Sequence, residues 1–501
     1  MGSQHVRGST LLLAGRALSL LLNMATQVVV VRALSKTEFG AFAYALALTA
    51  SGRAVLSLGQ AKLLSRFMAK YEEERDYGRM FGAMVLAAAT IVVTSSALIV
   101  GLFLFADRLA GGAVDDPRAI HVLLVLIFLA PMEALDEVFV SIFAVFSRPQ
   151  SIFFRKHLLT PVLRLAVVAA VFAVGGGALA LAVGYVATGA LGLVVYGLLF
   201  GKTLRQRGLR GHFRPGGLVL PYKSVFLFSF PTLTSELVSL SMHTASVMVL
   251  GFHRGMAQVA GYRAVLPAAR LNSLVFSTFS LLFLPMASRL FARGEHDELR
   301  EAYWHAAFFL AVFTFPIFAL TGPFATQTTV TLFGARYADS ALILTVLAVG
   351  YYVNAALGFN AYTLQVFGRL RAVVAINVAV ALVNLVLCLV LVPHWGALGV
   401  AFANGSAFVL LNLLNQAALA RCTRSGLVDR HYARGYAVIA GGVIALWLVQ
   451  QTFHPGIVVA VTVTALVWGA VLLLTQRWLR LEKSFPELAR IPLVRKVLGQ
   501  R

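Results

Sequence analysis

Charged residues are scarce in this sequence, and acidic residues are scarcer than basic ones. Of its 501 residues, 12% are charged, with 20 Asp and Glu against 42 Lys and Arg, whereas 59% are hydrophobic. The mean hydropathy is +0.83. A water-soluble chain of this length would carry about twice that share of charged residues. The composition therefore indicates an integral membrane protein.

Cysteine is nearly absent, because only Cys388, in an apolar run, and Cys422, in a basic segment, occur. Two such residues cannot form a disulfide framework or a thiolate metal site. The sequence also lacks a phosphate-binding P-loop, paired metal ligands and a nucleophile with its base, which argues against an ATP-driven pump and a hydrolase. We therefore predict no cofactor, no metal and no enzymatic activity.

Fourteen apolar stretches are each long enough to cross a bilayer, which takes about 20 residues. No small-residue cleavage site follows the first stretch, so we expect it to remain as a span rather than to be removed as a signal peptide. The predicted spans are residues 10–33, 38–60, 82–106, 119–146, 158–175, 178–200, 224–250, 257–288, 302–321, 340–366, 372–392, 396–419, 434–452 and 457–476.

The basic residues lie mostly on one face of this predicted topology. With the N-terminus in the cytoplasm, 31 of the 42 Lys and Arg fall in cytoplasmic segments and six fall in outer loops. Cytoplasmic loops of membrane proteins carry the excess of Lys and Arg, so both termini are predicted to be cytoplasmic. The same asymmetry accounts for the net charge of +22, and no nucleic-acid partner is predicted.

The sequence contains an internal duplication. The segment "FGAFAYALALT" (39–49) matches "VAGYRAVLPAA" (259–269), and "GALALA" (177–182) matches "GALGVA" (396–401), both at an offset of about 220 residues. This predicts two six-helix lobes, 1–215 and 216–425, followed by two additional transmembrane helices and a basic tail in 426–501. A duplicated unit of this kind also predicts a cavity between the lobes, where the polar faces of the two halves meet.

Three segments carry a resemblance to a known family: "VVVVRALSKTEFGAFAYALALT" (28–49), "RYADSALILTVLAVGYYVNAALG" (336–358) and "GRLRAVVAINVAVALVNLVLCLVLVPHWGALGVAFA" (368–403). In this order they resemble the polysaccharide-export branch of the multidrug/oligosaccharidyl-lipid/polysaccharide flippase superfamily, which includes the Wzx-type lipid-linked oligosaccharide flippases. The resemblance covers residues 10–425 and is most specific in the third segment.

The resemblance implies an all-α integral membrane fold whose central cavity opens alternately to each side. It implies a lipid-linked, pyrophosphate-bearing glycan as substrate, and coupling to an ion gradient or to the membrane potential. The implied location is the cell inner membrane. The implied partners are this substrate, membrane lipids, and the polysaccharide polymerase and glycosyltransferases of the same pathway.

Two rival functions stay open at the level of sequence. A drug or small-molecule exporter of the same superfamily would favour a narrow, acidic and aromatic cavity over several arginines. A membrane polysaccharide polymerase or glycosyltransferase would need a sizeable outer loop, whereas the predicted outer loops are short. Both comparisons favour the flippase.

Three carboxylates, Glu133, Asp136 and Glu137, lie within the fourth predicted span. Their i, i+3, i+4 spacing places them on one face of a helix. Ionised groups in a membrane need a partner or a cavity, because an isolated charge there costs about 2.5 to 3.5 kcal/mol or more. The trio is therefore either an ion-coupling site or a structural network paired with Arg16, Arg53 or Arg164.

Four of the arginines inside predicted spans are candidates for binding the substrate: Arg16, Arg53, Arg263 and Arg270. A guanidinium group stays charged and binds phosphate oxygens in a fork geometry. The alternative for each is pairing with a carboxylate. Glu236, in the seventh span, is a candidate for ion coupling, and the alternative is a structural pair with Arg270 or Arg263.

Overall fold

The computed structural model describes residues 2–57, 60–106, 116–146, 148–212, 217–222, 244–423, 426–427 and 429–479. These residues form helices and turns, and no β-strand occurs among them. Eight of their helices are long and apolar enough to cross a membrane. The predicted all-α integral membrane fold is confirmed, and the protein crosses the membrane several times.

The chain packs as two compact units, Met1–Ala260 (unit 1) and Gly261–Arg501 (unit 2). Unit 1 contains α1 (Gly2–Ala33), α2 (Lys36–Ser57), α3 (Gln60–Glu73), α4 (Tyr77–Leu104), α5 (Pro117–Leu126), α6 (Leu129–Val145), α7 (Pro149–Ile152), a π-helix (Phe153–Leu159), α8 (Thr160–Ala173), α9 (Ala178–Gln206), a 3-10 helix (Leu209–His212) and the start of α10 (Ser246–Ala269).

The remainder of α10 belongs to unit 2. The other elements there are α11 (Leu271–Ala292), α12 (His296–Thr321), α13 (Ala325–Phe333), a 3-10 helix (Ala335–Ser340), α14 (Ala341–Leu357), α15 (Phe359–Val366), α16 (Leu370–Thr423), α17 (Arg430–Phe453), α18 (Ile457–Thr475) and a final 3-10 turn (Gln476–Trp478).

Several of the few acidic residues cap helices. The side chain of Asp76 accepts a hydrogen bond from the backbone N–H of Arg79 at the start of α4, and Asp429 does the same for His431 at the start of α17. Asp116 caps α5, where Pro117 occupies the first turn. Such caps satisfy N–H groups that have no partner within the helix. They fix where these helices begin.

One helix lies at the centre of each unit. In unit 1, α6 packs against α2, α3, α4 and α9, so its polar face is surrounded by other helices. In unit 2, α12 packs against α11, α14, α17 and α18. Trp468 of α18 donates its indole N–H to the carbonyl oxygen of Val312 at 3.0 Å. The two helices that follow the predicted repeat therefore pack onto the core of unit 2.

Two of the helices are kinked at a glycine whose backbone is not helical. Gly255 in α10 has φ 72° and ψ 177°, and Gly396 in α16 has φ 55° and ψ −131°. Glycine adopts these positive-φ conformations without steric strain because it has no Cβ. Gly255 lies between the seventh and eighth predicted spans, and Gly396 is the first residue of the twelfth, so the 54 residues of α16 hold two predicted spans. Most of the seventh predicted span lies outside the described residues, and the count of fourteen stays a prediction.

The lobe boundaries predicted from the repeat, 1–215, 216–425 and 426–501, also stay a prediction. The division found by packing falls after Ala260. It separates compact regions of the chain, whereas the repeat concerns the similarity of two sequence segments.

We expect Gly255→Ala to destabilise the protein by about 1 to 3 kcal/mol, because alanine is strained in this backbone conformation. A Cβ at this position would meet no atom within 4 Å, so the effect would come from the backbone alone. The measurement is the thermal unfolding midpoint in detergent. The matched control is Gly441→Ala in α17, where a Cβ also has open space and the backbone is helical. Equal midpoints for the two variants would contradict the assigned turn.

Candidate functional site

The three carboxylates of α6 lie on one face and meet arginines from other parts of unit 1. Arg53 of α2 forms an ion pair with Glu137 and places its Nε 3.6 Å from Glu133. One arginine thus bridges two of the three acids. The side chains of Arg53, Glu133 and Glu137 are only partly exposed, between 29% and 37%. Their charges are therefore compensated within the unit.

Arg164 of α8 is a second arginine that pairs with Glu133. Its Nη2 donates a hydrogen bond of 2.9 Å to Glu133. The guanidinium group also lies over the ring of Tyr185, 5.0 Å from its centroid, where a cation is attracted to the aromatic face. The pairing of the trio with Arg53 and Arg164 is one of the two alternatives left by the sequence. The ion-coupling role stays a prediction.

Arg155 is the third arginine of the site, and it lies in the π-helix. Its side chain is 3% exposed. It forms an ion pair with Asp136, donates a further hydrogen bond to the hydroxyl of Thr160, and lies 5.1 Å from the ring centroid of Tyr196. The π-helix winds more widely than an α-helix and often occurs at functional sites. Here it carries Arg155 into the interior of unit 1.

The position of Arg155 corrects the predicted topology. The predicted spans leave residues 147–157 in a cytoplasmic loop, whereas the apolar helical segment runs over Gln150–Ala173 and includes this arginine. The missed signal was that the apolar pattern continues upstream of residue 158, through Ile152, Phe153 and Phe154. An arginine buried in an apolar segment needs a carboxylate to compensate its charge, and for Arg155 this carboxylate is Asp136.

Gly192 of α9 makes room for the Arg155 side chain. A Cβ at this position would lie 1.9 Å from Nη2 of Arg155 and 2.3 Å from Cζ. Any larger residue would therefore displace the guanidinium group from Asp136. Sequence reasoning did not single out Gly192 or Tyr196, because nothing in a local pattern shows that α9 approaches the π-helix.

A cavity of 340 Å³ adjoins these residues. Its size is within the range of small-molecule sites, about 300 to 1,000 Å³. The charged residues in its wall are Arg53, Glu133, Asp136, Glu137, Arg155, Lys156 and Arg164. Lys156 is exposed, and the other six form the ion pairs described above. The site is therefore polar and close to charge balance.

Four polar atoms of the cavity residues are shielded from solvent and have no hydrogen-bond partner within the described parts of the chain. They are Oδ1 of Asp136, Nε of Arg155, Nε of Arg164 and the hydroxyl oxygen of Tyr196. Leaving such an atom unpaired costs about 1 to 3 kcal/mol. Unpaired polar groups at one place therefore need an explanation.

Arg263 and Arg270 belong to unit 2, and neither is among the residues that line this cavity. Arg270 follows α10 directly, and its Nε donates a hydrogen bond of 2.9 Å to the hydroxyl of Tyr351. Arg263 lies on α10 and is partly buried. Among the described residues, the partner of Arg270 is thus a tyrosine hydroxyl and not a carboxylate. The side chain of Arg16 and the whole of Glu236 lie outside the described residues.

Amide side chains join the helices of unit 2. Asn404 of α16 donates to the hydroxyl of Tyr262 at 3.0 Å, and Asn412 donates to Asn354 of α14 at 3.1 Å. Asn360 of α15 donates to the carbonyl oxygen of Asn412 at 3.1 Å. Amide hydrogen bonds of this kind are common between membrane helices. They hold α14, α15 and α16 together.

A family model described as "Polysaccharide biosynthesis protein" matches residues 5–291, more than half of the chain and all of the charged site. The chain belongs to this family. No curated protein matches the sequence. Family membership confirms the predicted link to polysaccharide biosynthesis.

Solved structures share the fold of this polysaccharide biosynthesis protein at low sequence identity. The lipid II flippase MurJ in an inward closed conformation aligns with a TM-score of 0.72 at 14% identity, over 95% of this chain and all of that one. An inward-facing multidrug resistance MATE family transporter of the MOP superfamily aligns with a TM-score of 0.64 at 16% identity, over 81% of this chain and 96% of that one. At such identities the likeness concerns the fold.

We expect Gly192→Ala to lower the thermal unfolding midpoint, because its Cβ would displace the buried guanidinium group of Arg155 from the half-buried Asp136, at a cost of about 1 to 3 kcal/mol. The matched control is Gly197→Ala in the same helix, where a Cβ would meet no atom within 4 Å. The measurement is unfolding of the two purified variants in the same detergent. Indistinguishable midpoints would contradict the position of Arg155 against α9.

Proposed function

We propose that this protein is a flippase that moves a lipid-linked oligosaccharide or polysaccharide precursor across the cytoplasmic membrane by alternating access. The observation that carries the proposal is a polar, charge-paired cavity within a membrane protein of the polysaccharide biosynthesis family. A chain that only anchored other proteins would not need such a cavity. Ionisable residues within membrane helices mark substrate or ion pathways by default.

The fold supports this proposal. The structure that aligns over 95% of the chain is named as a lipid II flippase, and its whole length is covered. A fold does not determine a function by itself, since one fold can serve several transport tasks. Together with membership of a polysaccharide biosynthesis family, it favours a lipid-linked saccharide as the transported molecule.

The pyrophosphate of such a substrate needs cations, and Arg263 and Arg270 are the better candidates among the described residues. Within the described parts of the chain, Arg270 bonds to the hydroxyl of Tyr351 and to no carboxylate, so no described acid compensates its positive charge. Arg53 lies against two carboxylates, which favours the structural alternative for that residue. Arg16 stays a candidate on the strength of its sequence position.

Transport against a gradient needs an energy source, which we assign to an ion gradient or the membrane potential. Glu133, Asp136, Glu137 and Glu236 are the candidate coupling residues. Protonation of a carboxylate in the trio would release its arginine and so weaken the ion pairs that join α6 to α2, the π-helix and α8. Neutral replacements that leave the pH and sodium dependence of transport unchanged would reduce the trio to a structural role.

The proposed location is the inner membrane, with both termini in the cytoplasm. The excess of Lys and Arg in the predicted cytoplasmic segments supports this orientation. The proposed partners are the lipid-linked glycan, membrane lipids, and the polymerase and glycosyltransferases of the same pathway. The protein itself acts as a transporter and not as an enzyme.

Export of a drug or another small molecule is the second candidate, and the fold shared with a MATE transporter favours it. Three carboxylates at one site would suit a cationic drug. However, each of them is paired with an arginine in unit 1, so the site has no excess of negative charge. The charge balance therefore favours the glycan substrate.

Deletion of the gene should cause the lipid-linked saccharide to accumulate on the cytoplasmic leaflet, because the proposed step is its transfer to the outer leaflet. The measurement is the accessibility of the labelled precursor in sealed vesicles of known orientation, together with the amount of surface glycan. Re-expression of the intact gene is the control. An unchanged leaflet distribution in the deletion strain would contradict the proposed function.

Charge reversal by Arg270→Glu should reduce glycan export roughly a hundredfold, because a carboxylate would repel the pyrophosphate. The measurement is surface glycan in the deletion strain carrying the variant at normal expression. The control is Arg371→Glu, which reverses the charge of an exposed arginine at the start of α16. Full export by Arg270→Glu would remove Arg270 from the binding site.

A further inference from the structure

The unpaired atoms of the unit 1 cavity differ in what they can bind. The two arginine Nε–H groups only donate hydrogen bonds, and Oδ1 of ionised Asp136 only accepts them. The hydroxyl of Tyr196 can do either, and its side chain is fully buried. A ligand that satisfies all of them must donate as well as accept. Alcohol hydroxyls do this, whereas a doubly ionised phosphate only accepts.

The charge pairing within the cavity also favours a ligand with hydroxyl groups over a phosphate. Arg53, Arg155 and Arg164 are each already paired with a carboxylate of α6. A pyrophosphate at this place would have to displace those carboxylates or lie beside them, and like charges repel. A neutral polyol meets no such penalty. The site is therefore suited to hydroxyl groups rather than to the anionic part of a lipid-linked saccharide.

Two tyrosine rings at the site are each covered on one face by a guanidinium group. This favours hydrogen bonding over stacking on these rings as the way in which the site recognises a ligand. The guanidinium group of Arg155 lies over the ring of Tyr196, and that of Arg164 lies over Tyr185. Each of these rings therefore has a face occupied by a cation. What Tyr196 can offer a ligand is its hydroxyl group at the edge of the ring.

We propose that the unit 1 cavity is a saccharide subsite, in which Asp136, Arg155 and Tyr196 bind hydroxyl groups of the glycan. The proposal rests on the proposed flippase function and names the part of the substrate that unit 1 recognises. Arg164 contributes through its Nε. The phosphate groups are left to arginines elsewhere, with Arg263 and Arg270 as the candidates. Gly192 and the π-helix are the features that hold Arg155 in the subsite.

The test uses the full-length protein purified in detergent and two soluble probes. The first probe is the oligosaccharide released by mild acid from the lipid-linked pool of the deletion strain, or from that of the wild type if none accumulates. The second is inorganic pyrophosphate. Binding is measured by isothermal titration calorimetry and by the ligand-induced shift of the unfolding midpoint. We expect Tyr196→Phe to weaken binding of the oligosaccharide about tenfold and to leave pyrophosphate binding unchanged.

The matched control is Tyr436→Phe in α17 of unit 2. The hydroxyl of Tyr436 is also buried without a hydrogen-bond partner in the described structure, but it is not part of the cavity. Both substitutions remove an unpaired hydroxyl and keep the ring, so neither should destabilise the protein. Only Tyr196→Phe should bind the oligosaccharide more weakly than the wild-type protein does. Equal affinity of the two variants for the oligosaccharide, or a wild-type protein that does not bind it, would overturn the subsite.

Failure of the subsite and failure of the flippase function give different results. If the deletion strain accumulates its precursor on the cytoplasmic leaflet but Tyr196→Phe binds and exports normally, the function stands and the subsite is wrong. If the deletion leaves the precursor distribution unchanged, the proposed flippase function is wrong, whether or not the purified protein binds the oligosaccharide. If Tyr196→Phe lowers the affinity for pyrophosphate as well, the cavity binds the phosphate part and the assignment to the saccharide is overturned.

Discussion

The pairing of the three α6 carboxylates with three arginines is the interaction on which the architecture of unit 1 depends. A charged side chain among membrane helices is costly unless a partner compensates it. Glu133, Asp136 and Glu137 place three such charges on one helix face, so three other segments must approach that face. Arg53 brings α2, Arg155 brings the π-helix and Arg164 brings α8. The ion pairs thus join α6 to these three segments, while α3, α4 and α9 pack against it with no ion pair to the trio among the described residues.

The same pairing determines what the cavity can bind. Because the guanidinium groups are already compensated, they act less as free cations than as fixed hydrogen-bond donors. The cavity next to them combines donors and acceptors in a small volume, which suits a molecule rich in hydroxyl groups. In unit 2, by contrast, the partner of Arg270 among the described residues is the hydroxyl of Tyr351 and not a carboxylate. The arginines of the two units are therefore compensated differently within the described structure.

Local patterns in the sequence were sufficient for the helices and for one face of the site. Hydropathy located the apolar spans, and the i, i+3, i+4 spacing placed the trio on a single face of α6. Arg53 and Arg164 could be named as partners because charges within spans need compensation. Arg155 was missed because the boundary of its span was set too far downstream. Tyr196 and Gly192 depend on how α9 packs against the π-helix, and a contact between such distant residues leaves no local pattern.

The most direct test of this account is a double-mutant cycle on Asp136 and Arg155, with the free energy of unfolding measured in detergent for the wild type, Asp136→Asn, Arg155→Gln and the double variant. Each single change leaves one buried charge without its partner, which is costly, whereas the double change leaves none. The account predicts that the double variant is more stable than at least one of the single variants. Additive losses, with the double variant the least stable of the four, would contradict the pairing on which the site rests.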